Sequence, residues 1–233
     1  LLRRIDAVAG NEVAITVDDS PTPEATPALL DILSAANMRA SFFISGFRAE
    51  KHPELVVAIV REGHAVFAHG WDHIRLDREP TQRLIGDMQR CEELLARFRP
   101  TPSPYLVRLP YNGGYRNVGV HRSLNRWQPG CQIAHWEIST EDHDTLKPGM
   151  SDAALAESAA GKVASALEKL QRPGAIILMH DQPISDIPDG PMKAQASIKV
   201  MKGLTDGLAL RGLISIALRP QPLPGLLGRF VLG

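Results

Sequence analysis

Two carboxylates stand side by side at Asp18 and Asp19, directly after the apolar run Glu12–Val17. At a strand end, adjacent carboxylates point in different directions, so one can hold a cation while the other addresses a water. The alternative is a plain turn, since Asp19-Ser20-Pro21 is also good turn chemistry. His69 and His73 are four residues apart. On a helical turn both imidazoles reach one metal, and with a carboxylate they make a two-His, one-Asp set that leaves a position for water. The competing reading makes one of them an ordinary surface histidine. Arg108 opens the Pro- and Gly-rich stretch Arg108–Gly114. Such a loop brings backbone N–H groups close to a ligand, and its arginine can pair with a carboxylate; the alternative is a structural turn. His180 closes the apolar run Ile176–Met179. An imidazole with an ordinary pKa of about 6.5 serves as acid or base near neutrality, although a satisfied core histidine is the equal alternative.

These residues need elements to bring them together. Strands are expected at Glu12–Val17, Ala40–Ser45, His64–Ala68, Tyr105–Arg108, Gln132–Ile138, Ala175–Met179 and Leu213–Leu218, mostly short apolar runs of the kind buried parallel strands require. Helices are expected at Thr26–Asn37, Pro53–Glu62, Thr81–Phe98, Ser151–Leu170 and Ala194–Leu210. The second opens on Pro53 and stops before Gly63, the usual start and stop pair. Ser151 reads as a helix cap. Alternating strands and helices predict a parallel sheet. With neither a dinucleotide fingerprint nor a Walker sequence, a nucleotide-binding sheet has little support. The expected fold is α/β: a distorted, incompletely closed (β/α) barrel with about seven parallel strands. In a barrel the C-terminal strand ends share one face, and Asp18, Asp19, His69, Arg108, Asp142 and His180 all follow or close such ends.

The 233 residues, 44% of them hydrophobic, suit a single domain over residues 1–233. A Pro-rich tail from about residue 220, carrying Leu226, Leu227, Phe230 and Val231, is expected to cover a barrel face. Lys plus Arg equals Asp plus Glu, which argues against nucleic acid as a partner. Two cysteines without a C-x-x-C pattern exclude a thiolate zinc site. Cys91 and Cys131 are expected as free, buried thiols, with a disulfide as the alternative. No apolar run approaches the roughly 20 residues of a membrane span. The chain opens on Leu1 without a signal-peptide pattern, which suggests trimming or processing.

Taken together, these segments resemble the polysaccharide deacetylases of the NodB-homology group, carbohydrate esterase family four. Thr16-Val17-Asp18-Asp19-Ser20 resembles the T-F-D-D-G motif, and His69 and His73 match H-[ST]-x-x-H. Arg108-Leu109-Pro110-Tyr111 matches R-x-P-[YF], and Leu178-Met179-His180 matches L-x-H. Trp136, with Asp142 six residues on, resembles the remaining motif. The resemblance implies that Asp18 is the general base, that Asp19, His69 and His73 hold the metal, and that Arg108 orients Asp18. It implies that the Tyr111 N–H helps bind the oxyanion, that His180 is the general acid tuned by Asp142, and that Leu178 lines an acetyl pocket. Trp71, Trp136 and His143 are the expected substrate contacts, with Tyr111 and Tyr115 as further rings near the site and Trp136 as core in the alternative. The implied reaction is hydrolysis of N-acetyl groups on amino sugars of an oligo- or polysaccharide, by general acid/base attack of a water activated at the metal. The implied cofactor is a divalent ion, Zn2+ first, with Co2+, Ni2+ or Mn2+ as alternatives.

Four departures bear on the substrate. Ser20 and Val17 replace a Gly and a Phe; Gly70 removes a hydroxyl that can steady the histidine loop; and His143 stands where a Trp is expected. Alternatives to the sugar deacetylase are a deformylase or small-amide hydrolase on the same machinery, and a non-catalytic glycan-binding member. The expected partner is an N-acetylated glycan. An extracytoplasmic setting is favoured over a cytoplasmic one by the resemblance. His135 is a candidate for a supporting role behind the site, while His52, His64 and His121 read as structural or exposed.

Overall fold

A computed structural model describes residues 1–221; the tail expected to cover a barrel face begins at the edge of that range and lies almost wholly outside it. Parallel strands run β1 (Glu12–Ser20), β2 (Ala40–Ile44), β3 (Ala65–Ala68), β4 (Leu106–Val107), β5 (Gln132–Ile133), β6 (Ile138–Ser139), β7 (Ile176–His180) and β8 (Ile214–Ser215). Their spatial order is β5-β4-β3-β2-β1-β7-β6, with β8 added against the start of β1. Seven strands thus curl into an open barrel whose edges are β5 and β6.

The single strand expected over Gln132–Ile138 is two. Ile133 pairs with Val107 of β4 and Ile138 with Ile177 of β7, so the chain crosses the barrel opening between them. The N-terminal residues occupy this gap: the Leu2 N–H donates to Ile133 O, the His135 N–H to Leu2 O, and the Ile5 N–H to Gly174 O. The expected strand Leu213–Leu218 pairs only over Ile214–Ser215, in the fork where β1 and β2 begin. There the Ser215 hydroxyl accepts from the Ile15 N–H and donates to Arg39 O.

Side-chain alternation splits these strands between two cores. Ala14, Phe43, Phe67, Leu106, Ala134 and Ile176 cluster inside the barrel. Their neighbours Val13, Ile15, Phe42, Ile44, Val66, Val107, Ile133 and Ile177 pack outward with the helices. The helices are α1 (Thr26–Ala35), α2 (Gly46–Lys51), α3 (Pro53–Arg61), α4 (Thr81–Leu95), α5 (Val118–Trp127), α6 (Asp152–Lys169) and α7 (Pro191–Leu210). Five match expected helices. The short α2 and the polar α5 were not anticipated, although Asn117 caps α5 by accepting from the Gly119 and Val120 N–H groups. Ser151 does cap α6, its hydroxyl accepting from the Ala154 N–H. Both cysteines are free; Cys91 is buried as expected, but Cys131 is only partly so.

Candidate active site

The inner-face parity continues to the strand ends. Counting in twos from Ala14 reaches Thr16 and Asp18; from Phe67, His69; from Leu106, Arg108; from Ile176, Leu178 and His180. β1 and β7 run in register, with Asp18 opposite His180 and Thr16 opposite Leu178. The polar residues are therefore the top layer of a barrel whose lower layers are apolar.

Asp18 is buried and meets the guanidinium of Arg108, Oδ1 to Nη1 2.6 Å. Arg108 is held by Ala134 O at 3.1 Å and by the Thr16 hydroxyl at 2.9 Å, with its flat face 4.0 Å from the Phe43 ring centroid. A buried arginine fixed at this many points has little freedom, so it orients the carboxylate as well as balancing its charge.

Asp19 breaks the strand. Its φ of 65° lies in the left-handed region, and the β1–β2 register shifts between Val17 and Ser20. The irregularity re-aims one side chain, sending the two carboxylates apart as the sequence suggested. Asp19 Oδ1 lies 2.9 Å from His73 Nε2 and 3.4 Å from His69 Nε2, while its other oxygen accepts from the Ile184 N–H at 2.8 Å. His73 also has a left-handed backbone, φ 50°. Burial by itself pushes the Asp19 carboxyl up, but the imidazoles of His69 and His73 beside it and the charge of His180 hold it well below the usual carboxylate range.

These three residues fit a divalent cation. His69 Nδ1 sits 3.0 Å from Arg108 O. A carbonyl only accepts, so Nδ1 carries the proton, and the neutral ring then aims its Nε2 lone pair at Asp19. Asp19 Oδ1 is itself buried without a hydrogen-bond partner. Two lone-pair donors converging in a buried space call for a positive charge between them. Asp19, His69 and His73 each offer one ligand atom, all within 4.8 Å of one another.

On the other side of Asp18, His180 Nδ1 lies 2.9 Å from Asp142 Oδ1, and Asp142 Oδ2 accepts from the His180 backbone N–H at 2.7 Å. The Thr140 hydroxyl donates to the same carboxylate at 3.0 Å. Burial pulls the imidazole pKa down, but the charge and hydrogen bond of Asp142, with Asp19 and Asp18 behind it, outweigh burial and raise it to about 9. His180 is thus a protonated imidazole near neutrality, with Nε2 as its free corner. Tyr111 has φ 57° within the short 3-10 turn Pro110–Asn112, and its exposed ring stands 4.8 Å from that of His73. An N–H in the first turn of such a helix has no partner within it.

The expected substrate contacts divide. His143 is substantially exposed beside His180, ring centroids 5.8 Å apart. Leu178 is buried on the inner face. Trp136 stacks on His135, centroids 4.6 Å apart and planes 10° apart, and Arg108 stands 5.3 Å from its centroid. Trp71 departs from expectation. It is 6% exposed in the outer core, with the Arg90 guanidinium 3.5 Å from its centroid. A Cβ added to Gly46 would lie 2.5 Å from the ring. So buried a ring is not available to pack on a sugar. His135 is buried, Nδ1 2.7 Å from Trp136 O. His64 is a core residue whose Nδ1 accepts from the Ala40 N–H.

Asp87 of α4 was not anticipated. Its carboxylate accepts from the Trp71 N–H at 2.5 Å and the Asp72 N–H at 3.3 Å, bracing the loop between His69 and His73. Gly70 has φ +84°, and a Cβ there would lie 2.9 Å from Asp87 Oδ1. The carboxylate therefore fills the space that a side chain at position 70 would claim. The signal was present in sequence only as an acid on the otherwise core-facing side of α4, where it looked like any helix charge.

The sequence profile described as polysaccharide deacetylase matches residues 6–126. The chain belongs to this family. Asp142 and His180 lie beyond the matched stretch. The chain is 30% identical over 176 residues to a Bacillus cereus peptidoglycan-N-acetylglucosamine deacetylase, covering 75% of each protein. It is 28% identical to a chitooligosaccharide deacetylase of a Bradyrhizobium species, over 76% of this chain and 73% of that one. The solved structure of a Bacillus cereus polysaccharide deacetylase superposes with a TM-score of 0.73 at 25% identity, over 92% of this chain and 95% of that one. The fold is thus the incomplete (β/α) barrel of the family. Several other relatives are longer proteins, of which the chain spans 33% to 36%.

Proposed function

We propose that the chain is a metal-dependent hydrolase that removes N-acetyl groups from amino sugars within an oligo- or polysaccharide. One observation carries this reading: Asp18, paired with Arg108, and His180, paired with Asp142, stand opposite each other on in-register strands, beside the Asp19–His69–His73 set. The names of the relatives supply the substrate class.

A zinc-class ion held by Asp19, His69 and His73 would supply Lewis acidity, polarising the amide carbonyl and lowering the pKa of water. Asp18 takes the proton of the attacking water. Arg108 keeps that carboxylate aimed and takes no proton, since guanidinium stays charged. The Tyr111 N–H donates to the oxygen that becomes negative as the carbonyl carbon turns tetrahedral. His180 then gives its proton to the departing nitrogen, which leaves poorly as an unprotonated amine. Asp142 holds the ring so that Nε2 is the donating corner and steadies the imidazolium. Leu178 offers an apolar wall beside the acetyl methyl. An extracytoplasmic setting is part of the proposal, and follows from the substrate class rather than from any feature of the chain.

The test is product analysis. Metal-loaded protein with acetylated amino-sugar oligomers should release one acetate per acetyl unit lost, read by enzymatic acetate assay and mass spectrometry. Formate from a formylated sugar, with no acetate from any acetylated oligomer, would move the activity to deformylation.

A further inference from the structure

His143 has no part in the mechanism above, yet it is not a bystander. It lies in the 3-10 turn Asp142–Asp144, its ring edge-on to that of His180 at 76°. Asp142, His143 and His180 each present a ligand atom, and these atoms lie within 4.8 Å of one another. Two further carboxylates flank the cluster: Glu141 Oε2 is 3.7 Å and Asp144 Oδ2 3.8 Å from His143 Nε2. His143 is about half exposed and the His180 side chain reaches solvent, so a hydrated ion can approach from outside.

We propose that Asp142, His143 and His180 form a second divalent-cation site at the mouth of the barrel, and that an ion there inhibits by engaging the general acid. Two imidazoles and a carboxylate favour zinc, nickel or copper over calcium or magnesium. The site is weaker than the first for a structural reason. Asp142 already accepts from the Thr140 hydroxyl and from two nitrogens of His180, so an ion must displace some of these bonds. At Asp19, by contrast, an oxygen waits unpartnered. An ion on His180 Nε2 replaces the proton meant for the departing amine, and one on Nδ1 displaces the Asp142 contact that steadies the imidazolium, so either removes the acid form. This consequence rests on the deacetylase reading; the existence of the site does not.

The experiment counts metal. Metal-free protein is dialysed against rising free Zn2+, and bound zinc is measured by elemental mass spectrometry. The expected result is two ions per chain, the second filling at free zinc about tenfold or more above the first. His143→Ala should bind one, Asp19→Ala should keep the weaker one, and the double variant should bind none. One ion per chain in the wild type, or two retained in His143→Ala, overturns the proposal. Turnover followed in parallel should rise with the first equivalent and fall with the second, and the fall should be absent from His143→Ala over the same range of zinc. A chain that binds two ions in the expected pattern but never turns over acetylated sugars refutes the deacetylase reading and leaves the second site standing.

Discussion

At Asp18 and Asp19 one backbone torsion separates two carboxylates that share a peptide bond. Asp18 keeps the strand conformation and meets Arg108, while the positive φ of Asp19 turns its side chain to the histidines. Their substitution should therefore have different consequences. Asp18→Asn should retain metal and lose about 10²–10⁴-fold in turnover, because only the proton acceptor is gone. Metal content and kcat measured on one preparation check this, and activity within a few-fold of wild type removes Asp18 from the role of base. His180 sets a pH limit. Its folded pKa of about 9 stands above the ordinary 6.5, so the acid form is present below that range and is lost as pH rises through about 9. The same linkage adds stability that is full below about 6.5 and gone above about 9. Asp142→Asn removes the nearby charge and should bring the alkaline limb to lower pH. A cation at Asp19 cancels part of the same field, so the His180 titration followed by NMR should shift downward on metal loading. An unmoved titration in both cases refutes the electrostatic origin of the shift.

The elements place these residues by simple rules and hold them by particular contacts. Alternation along β1, β3, β4 and β7 is enough to bring Asp18, His69, Arg108 and His180 to one layer. His73 needs more, since it lies on a loop of left-handed and glycine conformations braced from α4 by Asp87. Asp87→Ala leaves two backbone donors without their acceptor, a loss of about 1–3 kcal/mol. It should weaken zinc binding more than it lowers the midpoint of urea unfolding of the metal-free protein. Asp87→Asn, which keeps one acceptor oxygen, should recover part of the affinity. Equal metal affinity in Asp87→Ala and wild type would assign Asp87 to general stability alone.

At the scale of the whole molecule, the open side of the barrel is closed not by another strand but by the N-terminal residues, through Leu2 in the inner core and the Arg4–Glu137 ion pair. The candidate ion ligands come from the end of β1 and the loop after β3, so an ion bound there ties those two segments together. Metal should stabilise the folded state by mass action, about 2.7 kcal/mol at a free concentration a hundred times Kd. Thermal unfolding with and without Zn2+ should show a clear rise in Tm for wild type at one equivalent, and little for Asp19→Ala. An equal rise in the variant would mean that the stabilising ion binds elsewhere.

Much of this was legible in the sequence because it depends on short-range order. Apolar runs ending in Asp18, His69 and His180 locate strand ends, and parallel topology brings such ends to one face whatever the details of packing. The spacing of His69 and His73 and the adjacency of the two aspartates are local facts as well. What the sequence could not decide depends on contacts between residues far apart in the chain. Gln132–Ile138 is a continuous β-like run, yet it splits because its two halves pair with opposite edges of an open sheet. Trp71 looks like a sugar-stacking ring until Gly46 and Arg90 pack against it and bury it in the outer core. Asp87 is a helix charge by pattern and a loop brace by position. Periodicity reports which face of an element is apolar; only the tertiary structure decides what lies against that face.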